Sequence, residues 1–203
     1  MHQYRLLLIS MGVIIAWLCG RFFLAENFHY AFLVWNLFLA LLPLFFAEIF
    51  KRARHWAVAM VALFLWLIFF PNAPYILTDL IHWRLGTSLV WYDLFLLLGF
   101  GAVGLWTGFL SLDLVEKNLK KIRISSYILL WIFRGIIFAL CSVGVYLGRE
   151  IRFNSWDLFT NASSVFQTFI HDIASQEFAI VFFPWFFGLW LGYEWYAQIN
   201  KSP

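Results

Sequence analysis

The sequence predicts an all-α fold, a polytopic transmembrane helix bundle of about six spans. Of the 203 residues, 64% are hydrophobic and only 12% are charged, whereas soluble domains carry about a quarter charged residues. The mean hydropathy is +0.82. The 12 Trp and 25 Phe residues suit interfacial and lipid-facing positions better than a soluble core of this size. The chain is therefore expected to be an integral membrane protein.

Six apolar runs are long enough, or nearly so, to cross a bilayer. A hydrocarbon core of about 30 Å requires roughly 20 helical residues. The predicted spans lie near residues 6–25, 28–49, 56–70, 89–112, 126–147 and 178–199, within a single membrane domain. The third run is short for a full crossing, so it either continues into the Pro71 to Pro74 segment or breaks there.

The basic residues predict the orientation of the chain. Most Lys and Arg residues flank the termini and the loops after spans two and four, whereas the opposite loops hold Arg84, Arg149 and Arg152. The positive-inside rule then places both termini in the cytoplasm and residues 71–88 and 148–177 on the outer face. The net charge of +3 is spread over short loops, so no nucleic-acid partner is indicated.

Glycine spacing predicts how the last three spans pack. Pairs of small residues four apart let membrane helices approach closely. Spans four, five and six carry such pairs at Gly104 and Gly108, Gly144 and Gly148, and Gly188 and Gly192. A tight three-helix C-terminal core is expected from them.

The second outer segment contains a predicted amphipathic helix near residues 156–174. Its apolar residues recur at helical spacing, at Phe159, Ala162, Phe166, Phe169 and Ile173. A helix with one apolar face is suited to lie in the membrane interface. We expect it to cover the bundle on the outer side.

Two charged residues within the predicted spans form a candidate intramembrane polar pair. Arg134 and Glu194 fall at similar depth at 1.5 Å per helical residue. Asp113 and Glu48 are the substitute partners for the arginine. A structural salt bridge is the simpler interpretation, and a proton or ion relay is the alternative. Asn36, also within a span, is expected to form an interhelical hydrogen bond.

The stretch from Pro71 to Trp83 is the main candidate site. Its prolines are expected to stop the third span, and Asn72 is suited to cap a short outer-face helix after Pro74 that ends near Arg84. On an α-helix, four polar residues of this stretch share one face: Tyr75, Thr78, Asp79 and His82.

Asp79 and His82 are the catalytic candidates. A carboxylate three residues from an imidazole can act with it as an acid/base pair, or both can bind a metal. A metal would need a further ligand, for which the outer-face residues are Asp157, His171, Asp172 and His29. The structural alternative is that Asp79 caps or bridges elements and His82 lies at the water interface. No metal site is assigned, and the cofactor is unknown.

The second outer segment supplies the other candidate binding residues. Arg149 and Arg152 follow the fifth span, where guanidinium groups suit a lipid phosphate or a carboxylate such as Asp79. Asn154 or Ser155 can cap the following helix, with Asp157 in its first turn. The candidate binding set is Asn72, Tyr75, Thr78, Arg149, Arg152, Asn154 and Asp157.

Three segments of the chain resemble those of a known family. The segments are Pro71 to Leu80, Trp91-Tyr92-Asp93, and Gly148 to Asp157, and Trp35-Asn36-Leu37 is also similar. They resemble the hallmark segments of a bacterial membrane-protein family, domain of unknown function 1361. The resemblance implies a multi-pass protein of the bacterial plasma membrane, but it brings no established activity and carries over no catalytic residue.

Three functional hypotheses follow, all with the lipid bilayer as a partner. The first is a binding or accessory protein of the cell envelope, whose outer polar pocket recognises a lipid head group or an envelope partner. The second is an enzyme acting on a lipid-linked substrate at the outer leaflet, with Asp79 and His82 as acid and base and with Arg149 and Arg152 holding the phosphate. The third is a small transporter, in which Asn36, Arg134 and Glu194 line the polar path.

Overall fold

A computed structural model describes residues 2–83, 88–121, 126–153 and 157–200, and these ranges contain helices and turns without any β-strand. The helices are α1 His2–Ala25, α2 Phe32–Arg52, α3 Trp56–Phe69, α4 Asn72–Tyr75, a 3₁₀ helix Ile76–His82, α5 Val90–Lys121, α6 Tyr127–Tyr146, a π-helical turn Leu147–Ile151, α7 Asp157–Thr160, α8 Ala162–Asp172 and α9 Gln176–Ile199.

Six of these helical stretches in the described ranges are long and apolar enough to cross a membrane. They are His2–Ala25, Phe32–Arg52, Trp56–His82, Val90–Leu119, Tyr127–Ile151 and Gln176–Ile199. The predicted all-α multi-pass architecture is thereby confirmed. Helices dominate because hydrocarbon offers no hydrogen-bond partner to the backbone, so each span must satisfy its own polar groups.

The two ends of the bundle are distinguished by their contacts. At one end, Gln3 donates to the Asn200 side chain and the Tyr4 hydroxyl donates to Glu48, so the two chain ends lie together. We call this end the terminal face. The other end, which we call the distal face, is marked by the loop before α2, the end of the 3₁₀ helix and the start of α5.

Helix α5 occupies the centre of the bundle. It contacts α1, α2, α4, the 3₁₀ helix and α9, while α2 also packs against α3, and α6 packs against α9. Buried residues on one side of it, such as Leu97 and Phe100, pack with α1 and α2. Those on the other side, such as Leu112, pack with α3, α6 and α9. Polar groups near either end of α5 are therefore held by several neighbouring helices.

The third span does not stop at the prolines, so the expectation that they end it is wrong and the alternative, that the span continues into the Pro71 to Pro74 segment, is confirmed. Phe70 and Pro71 both have right-handed helical backbone angles, although a residue before proline usually avoids them. Helix α4 then begins at Asn72 rather than after Pro74, and the apolar stretch continues to His82. The candidate residues of this stretch therefore lie within the third predicted crossing.

The glycine pairs of α5 and α6 receive this segment and not another long span, which corrects the partner predicted for them, whereas Gly192 of the third pair lies close to Phe109 of α5 as expected. A Cβ atom on Gly104 would lie 2.3 Å from the Ile76 side chain and 2.8 Å from the Ala73 carbonyl oxygen. One on Gly144 would lie 3.0 Å from Pro71. Gly101, Gly108 and Gly148 also contact this segment closely. The glycines leave a groove in which a polar, irregular segment can pack inside the bundle.

Helix α5 continues to Lys121, well past the predicted end near residue 112. Its last turns keep a buried stripe of Leu112, Val115 and Leu119 at helical spacing. The predicted span ended early because charged residues lower the average hydropathy there, although the apolar face itself continues. This extension carries Glu116 into the protein interior.

The predicted interfacial helix is divided in two. Helix α7 ends at Thr160 and α8 runs from Ala162 to Asp172. Val165 is the buried residue of α8, while Phe166 and Ile170 are exposed. The Tyr146 hydroxyl donates to the Asp172 carboxylate at 3.0 Å, which ties α8 to the end of α6.

Candidate functional site

The polar segment is wound more tightly than the sequence predicts, and this divides its predicted polar face. From Ile76 to His82 the chain is a 3₁₀ helix, in which residues three apart are eclipsed. Asp79 and His82 therefore share a face with Ile76, whereas Thr78 falls on the face that continues from Tyr75. The Thr78 hydroxyl donates to the Tyr75 carbonyl oxygen at 2.7 Å.

Asp79 is a buried carboxyl group whose hydrogen-bond partner is a neutral amide. It is 6% exposed, and Asn36 of α2 donates to its Oδ2 at 2.8 Å through Nδ2. The expected interhelical bond of Asn36 is thus confirmed. No described cation lies within ion-pair distance of Asp79. Arg149 is nevertheless close enough to act on this carboxyl group electrostatically.

Arg149 and Arg152 lie at an irregular end of α6. Arg149 is half-buried within the π-helical turn Leu147–Ile151. Arg152 is exposed and follows directly in the left-handed conformation, with φ of 68°. Left-handed backbone in a residue other than Gly is strained, and π turns occur frequently at functional sites. Neither guanidinium donates a hydrogen bond to any residue in the described ranges.

Tyr75 links the two parts of the site. Its hydroxyl donates to the Gly148 carbonyl oxygen at 3.2 Å, which places its ring beside the π-helical turn. Both Arg149 and Arg152 are close enough to act on it electrostatically, as is Asp79. We call Asn36, Tyr75, Asp79, Arg149 and Arg152 the distal cluster.

Asn72 does not cap the helix as expected. Pro71 is the cap residue, and the Asn72 side-chain amide donates to the Phe69 carbonyl oxygen at 3.0 Å. The amide thereby satisfies a carbonyl group at the end of α3, where helical carbonyl groups lack their regular donors. Asn72 also makes further interactions.

The predicted acid/base pair is not joined by a described hydrogen bond. The Asp79 carboxylate accepts from Asn36, while the half-buried His82 ring packs against Phe32 at 4.9 Å between centroids. His82 has additional interactions, and its carbonyl oxygen accepts from the Tyr30 hydroxyl at 3.3 Å.

The remaining outer-segment candidates are separated from one another. Asn154 lies outside the described residues, and Asp157 is half-buried at the start of α7. His171 and Asp172 pair with each other at 2.7 Å on α8, and this contact holds the pKa of Asp172 below its usual range. His29 lies against Tyr30. Within the described ranges, no three His, Cys, Asp or Glu side chains are placed to hold a metal ion.

Arg134 lies at the centre of a second polar cluster, nearer the terminal face. Its Nη1 donates to Glu194 at 2.8 Å, the partner expected from the sequence. Its main partner is Glu116, which accepts from Nε at 2.6 Å and from Nη2 at 2.8 Å. The guanidinium also lies 5.0 Å from the centroid of the Tyr193 ring. We call Glu116, Arg134, Tyr193 and Glu194 the Arg134 cluster.

A buried ion pair at the distal face has no counterpart in the sequence predictions. Arg21 donates to both carboxylate oxygens of Asp93, and the Tyr30 hydroxyl donates to Asp93 Oδ2 at 3.3 Å. Arg21 is 6% exposed and Asp93 2% exposed. Asp93 and Glu116 lie on the same helix about 34 Å apart at 1.5 Å per residue. The two ion pairs are thus separated by about the thickness of a hydrocarbon core.

Two signals in the sequence could have located the missed residues. Glu116 is one residue past Val115 in an apolar stripe that continues beyond the predicted end of its span. Arg21 and Asp93 both lie near the ends of predicted spans that meet at the same face. Matching charged residues by depth, the reasoning that paired Arg134 with Glu194, would also have paired these two.

Comparisons with known proteins give a family assignment. No curated protein and no solved structure matches the chain. A family profile covers residues 35–191, which includes the distal cluster, Glu116 and Arg134. The chain therefore belongs to DUF1361, a protein family of unknown function.

Proposed function

We propose that the protein is a membrane-embedded binding protein whose distal cluster recognises the anionic head group of a lipid, in an accessory role in the bacterial cell envelope. The observation that supports this proposal best is that neither Arg149 nor Arg152 donates a hydrogen bond to a described residue. Each guanidinium carries five N–H donors, and both lie beside Tyr75 at one end of α6. No residue in the described ranges accepts from these donors, and we propose that a ligand does.

The chemistry of arginine favours a phosphate group as the ligand. A planar guanidinium binds phosphate through two parallel hydrogen bonds, and it is less strongly hydrated than an ammonium group. Arg149 lies in the last turn of the crossing Tyr127–Ile151, and Arg152 follows it. Side chains at such a position are at the depth of lipid phosphates, just outside the hydrocarbon.

Our proposal places the distal face on the outer side of the plasma membrane, with both termini in the cytoplasm. It is supported by the basic residues Lys51, Arg52 and Lys117, which lie toward the terminal face on α2 and α5. Cytoplasmic loops are enriched in such residues. Reporter fusions after Asn27, after Lys51 and at the C-terminus would test the orientation, and a reporter active outside when fused after Lys51 would contradict it.

The enzyme and transporter hypotheses have less support. Asp79 and His82 have separate described partners, Asn36 and Phe32. For transport, the layer between the two polar clusters contains fully buried aromatic side chains, namely Trp66, Phe70, Phe100 and Phe138. An ion path through that layer would require these rings to move.

Lipid retention by the purified full chain tests the proposal. In detergent micelles with equal amounts of dioleoyl phosphatidic acid and dioleoyl phosphatidylcholine, native mass spectrometry should show preferential retention of the phosphatidic acid. We expect Arg149→Gln or Arg152→Asn to lower that retention about tenfold, the effect of losing a charge-assisted hydrogen bond. Asparagine is chosen at position 152 because it tolerates left-handed backbone.

Arg54→Gln is the matched control. Arg54 is an exposed arginine between α2 and α3, toward the terminal face, so it carries the same charge at the other end of the bundle. Its substitution should leave retention unchanged. Equal retention of the two lipids by the unmodified chain, or equal losses in the control and the distal variants, would overturn the proposal.

A further inference from the structure

We infer that the lipid bound at the distal cluster places a hydrocarbon tail in a cleft between the 3₁₀ helix and α9. This inference rests on the proposed function and specifies its ligand as an intact lipid, not a water-soluble anion. The cleft has a volume of about 300 Å³, at the lower end of the range for small-molecule pockets. It is lined by Leu77, Leu105, Pro184, Trp185, Gly188 and Leu189, and we call it the Leu77 cleft.

The cleft exists because α9 presents two residues without extended side chains there. Pro184 and Gly188 are four residues apart, so they lie on the same face of the helix, and both are exposed. A Cβ atom on Gly188 would meet nothing within 4 Å. This differs from Gly104 and Gly144, whose missing side chains are replaced by closely packed protein atoms.

The Leu77 cleft adjoins the segment that carries part of the distal cluster. Leu77 forms one wall and is followed by Thr78 and Asp79 in the same 3₁₀ helix. Two residues before it, Tyr75 donates to the Gly148 carbonyl oxygen, next to Arg149. In our inference one amphiphilic molecule contacts the arginines with its head and Leu77, within one turn of Tyr75 and Asp79 along the chain, with its tail.

The depth of the cleft favours hydrocarbon as its occupant. Leu105 lies about 18 Å along α5 from Asp93, which is at the distal face. At that distance from the face the surroundings are lipid tails. A tail that moves from bulk lipid into the cleft remains in apolar surroundings, so the hydrophobic effect does not favour the move. What stabilises the tail in the cleft is van der Waals contact with the packed protein atoms.

A second apolar cleft provides a contrast within the same molecule. It is larger, about 490 Å³, and it is lined by Tyr127, Ile128, Trp131, Ile132, Gly135 and Trp190. Five of these residues belong to the half of α6 near its start, where Arg134 also lies, and Trp190 belongs to α9. The Arg134 guanidinium is already bound by Glu116 and Glu194, so that described cation is not available to a lipid phosphate.

Filling the Leu77 cleft tests the inference. Gly188→Phe should place a ring in it, and Gly12→Phe is the matched control, because a Cβ atom at Gly12 also meets nothing within 4 Å and that residue lies on α1. We expect Gly188→Phe to weaken binding of dioleoyl phosphatidic acid about fivefold, since the tail loses its packing contacts. Binding of glycerol phosphate, measured by calorimetry, should be unchanged, and Gly12→Phe should change neither.

The outcomes separate this inference from the proposed function. If Gly188→Phe binds dioleoyl phosphatidic acid like the unmodified chain, or weakens glycerol phosphate equally, the tail site is wrong while the head-group site stands. If Arg149→Gln affects neither ligand, the head-group site itself fails. Circular dichroism and elution volume report folding, and Gly188→Leu replaces the phenylalanine variant if that variant does not fold.

Discussion

Two arginines of the same crossing, Arg134 in α6 and Arg149 in the π-helical turn that follows it, have opposite surroundings. Arg134 is bound by two carboxylates, Glu116 and Glu194, and packs on an aromatic ring. Arg149, fifteen residues later at the other end of α6, donates to no described residue. Asp79, a carboxyl group close enough for Arg149 to act on electrostatically, instead accepts a hydrogen bond from an amide.

This difference separates a structural charge from an available one. A cation enclosed by apolar helices must be paired, because an unpaired charge there costs several kcal/mol. Arg134 meets that requirement entirely with protein groups. Arg149 lies at the membrane face, where water or a phosphate can be its partner, so the fold does not need to saturate it. Substitutions at Arg134 and its partners should therefore change the free energy of unfolding, whereas substitutions at Arg149 should change ligand binding.

The largest expected effect is at the Arg134 cluster. Glu116→Gln removes the carboxylate that holds two nitrogens of Arg134, and we expect a loss of about 3–5 kcal/mol in the free energy of unfolding, the range for breaking a buried ion pair. This loss can be measured by unfolding the protein in mixed micelles and monitoring its helix content by circular dichroism.

Asp113→Asn is the control for that variant, one turn earlier on the same helix. Asp113 pairs with the exposed Lys117, so its loss should cost below about 0.5 kcal/mol. Similar losses in the two variants would mean that the burial of the Arg134 pair adds nothing to stability.

The second prediction tests the groove that carries the distal cluster. Gly104→Ala brings a Cβ atom against Ile76 and the Ala73 carbonyl oxygen, and overpacking of this kind costs about 1–3 kcal/mol. Gly188→Ala has open space and should gain up to about 1 kcal/mol from helix propensity. Thermal unfolding in detergent compares the two, and a neutral Gly104→Ala would show that the segment is not held by close contact.

The third prediction concerns the single described hydrogen-bond partner of the buried carboxyl group. Asn36→Ala leaves Asp79 without its bond, and an unsatisfied buried polar group costs about 1–3 kcal/mol. Adding Asp79→Leu to that variant should recover much of the loss, because no buried carboxyl group remains to be satisfied. The free energies of unfolding of the single and double variants test this prediction. A double variant that is less stable than Asn36→Ala alone would contradict it.

The smallest expected change in stability is at Arg149. Arg149→Gln should alter the free energy of unfolding by less than about 0.5 kcal/mol, as for substitutions outside packed or paired positions. Arg134→Gln, the same substitution in the saturated site, should destabilise strongly because it leaves Glu116 unpaired. If the two variants are equally destabilised, Arg149 has a structural role and the contrast between the arginines disappears.

The helical architecture could be predicted because it depends on local composition. Apolar runs of sufficient length near residues 6–25 and 178–199 need no tertiary information, and their helices, His2–Ala25 and Gln176–Ile199, lie where expected. The end of α5 was missed because hydropathy averages over all faces of a helix. The course of residues 71–82 was missed because prolines usually end helices, and only the glycine groove made a continuing helix possible.

The candidate site was predictable in part. The sequence located the two segments that carry Asp79 and Arg149, and depth alone suggested the contact between Arg134 and Glu194. Depth alone could not rank Glu116 above Asp113, since these residues are three apart on one helix, about 4.5 Å in depth, and which of them faces Arg134 depends on the packing of the helices. The tighter 3₁₀ winding, which separates Thr78 from Asp79, also has no signature in the polar spacing.

The sequence by itself determined that the chain crosses a membrane several times as helices, because a backbone in hydrocarbon has no other way to satisfy its hydrogen bonds. It also determined that the first and last helices would end on the same side of the membrane, since an even number of crossings returns the chain to its starting side. Only the tertiary structure decided which charges are saturated and which remain available. That outcome depends on which helix faces meet, and side-chain contacts between residues as distant as Asn36 and Asp79 follow from packing, not from spacing along the chain.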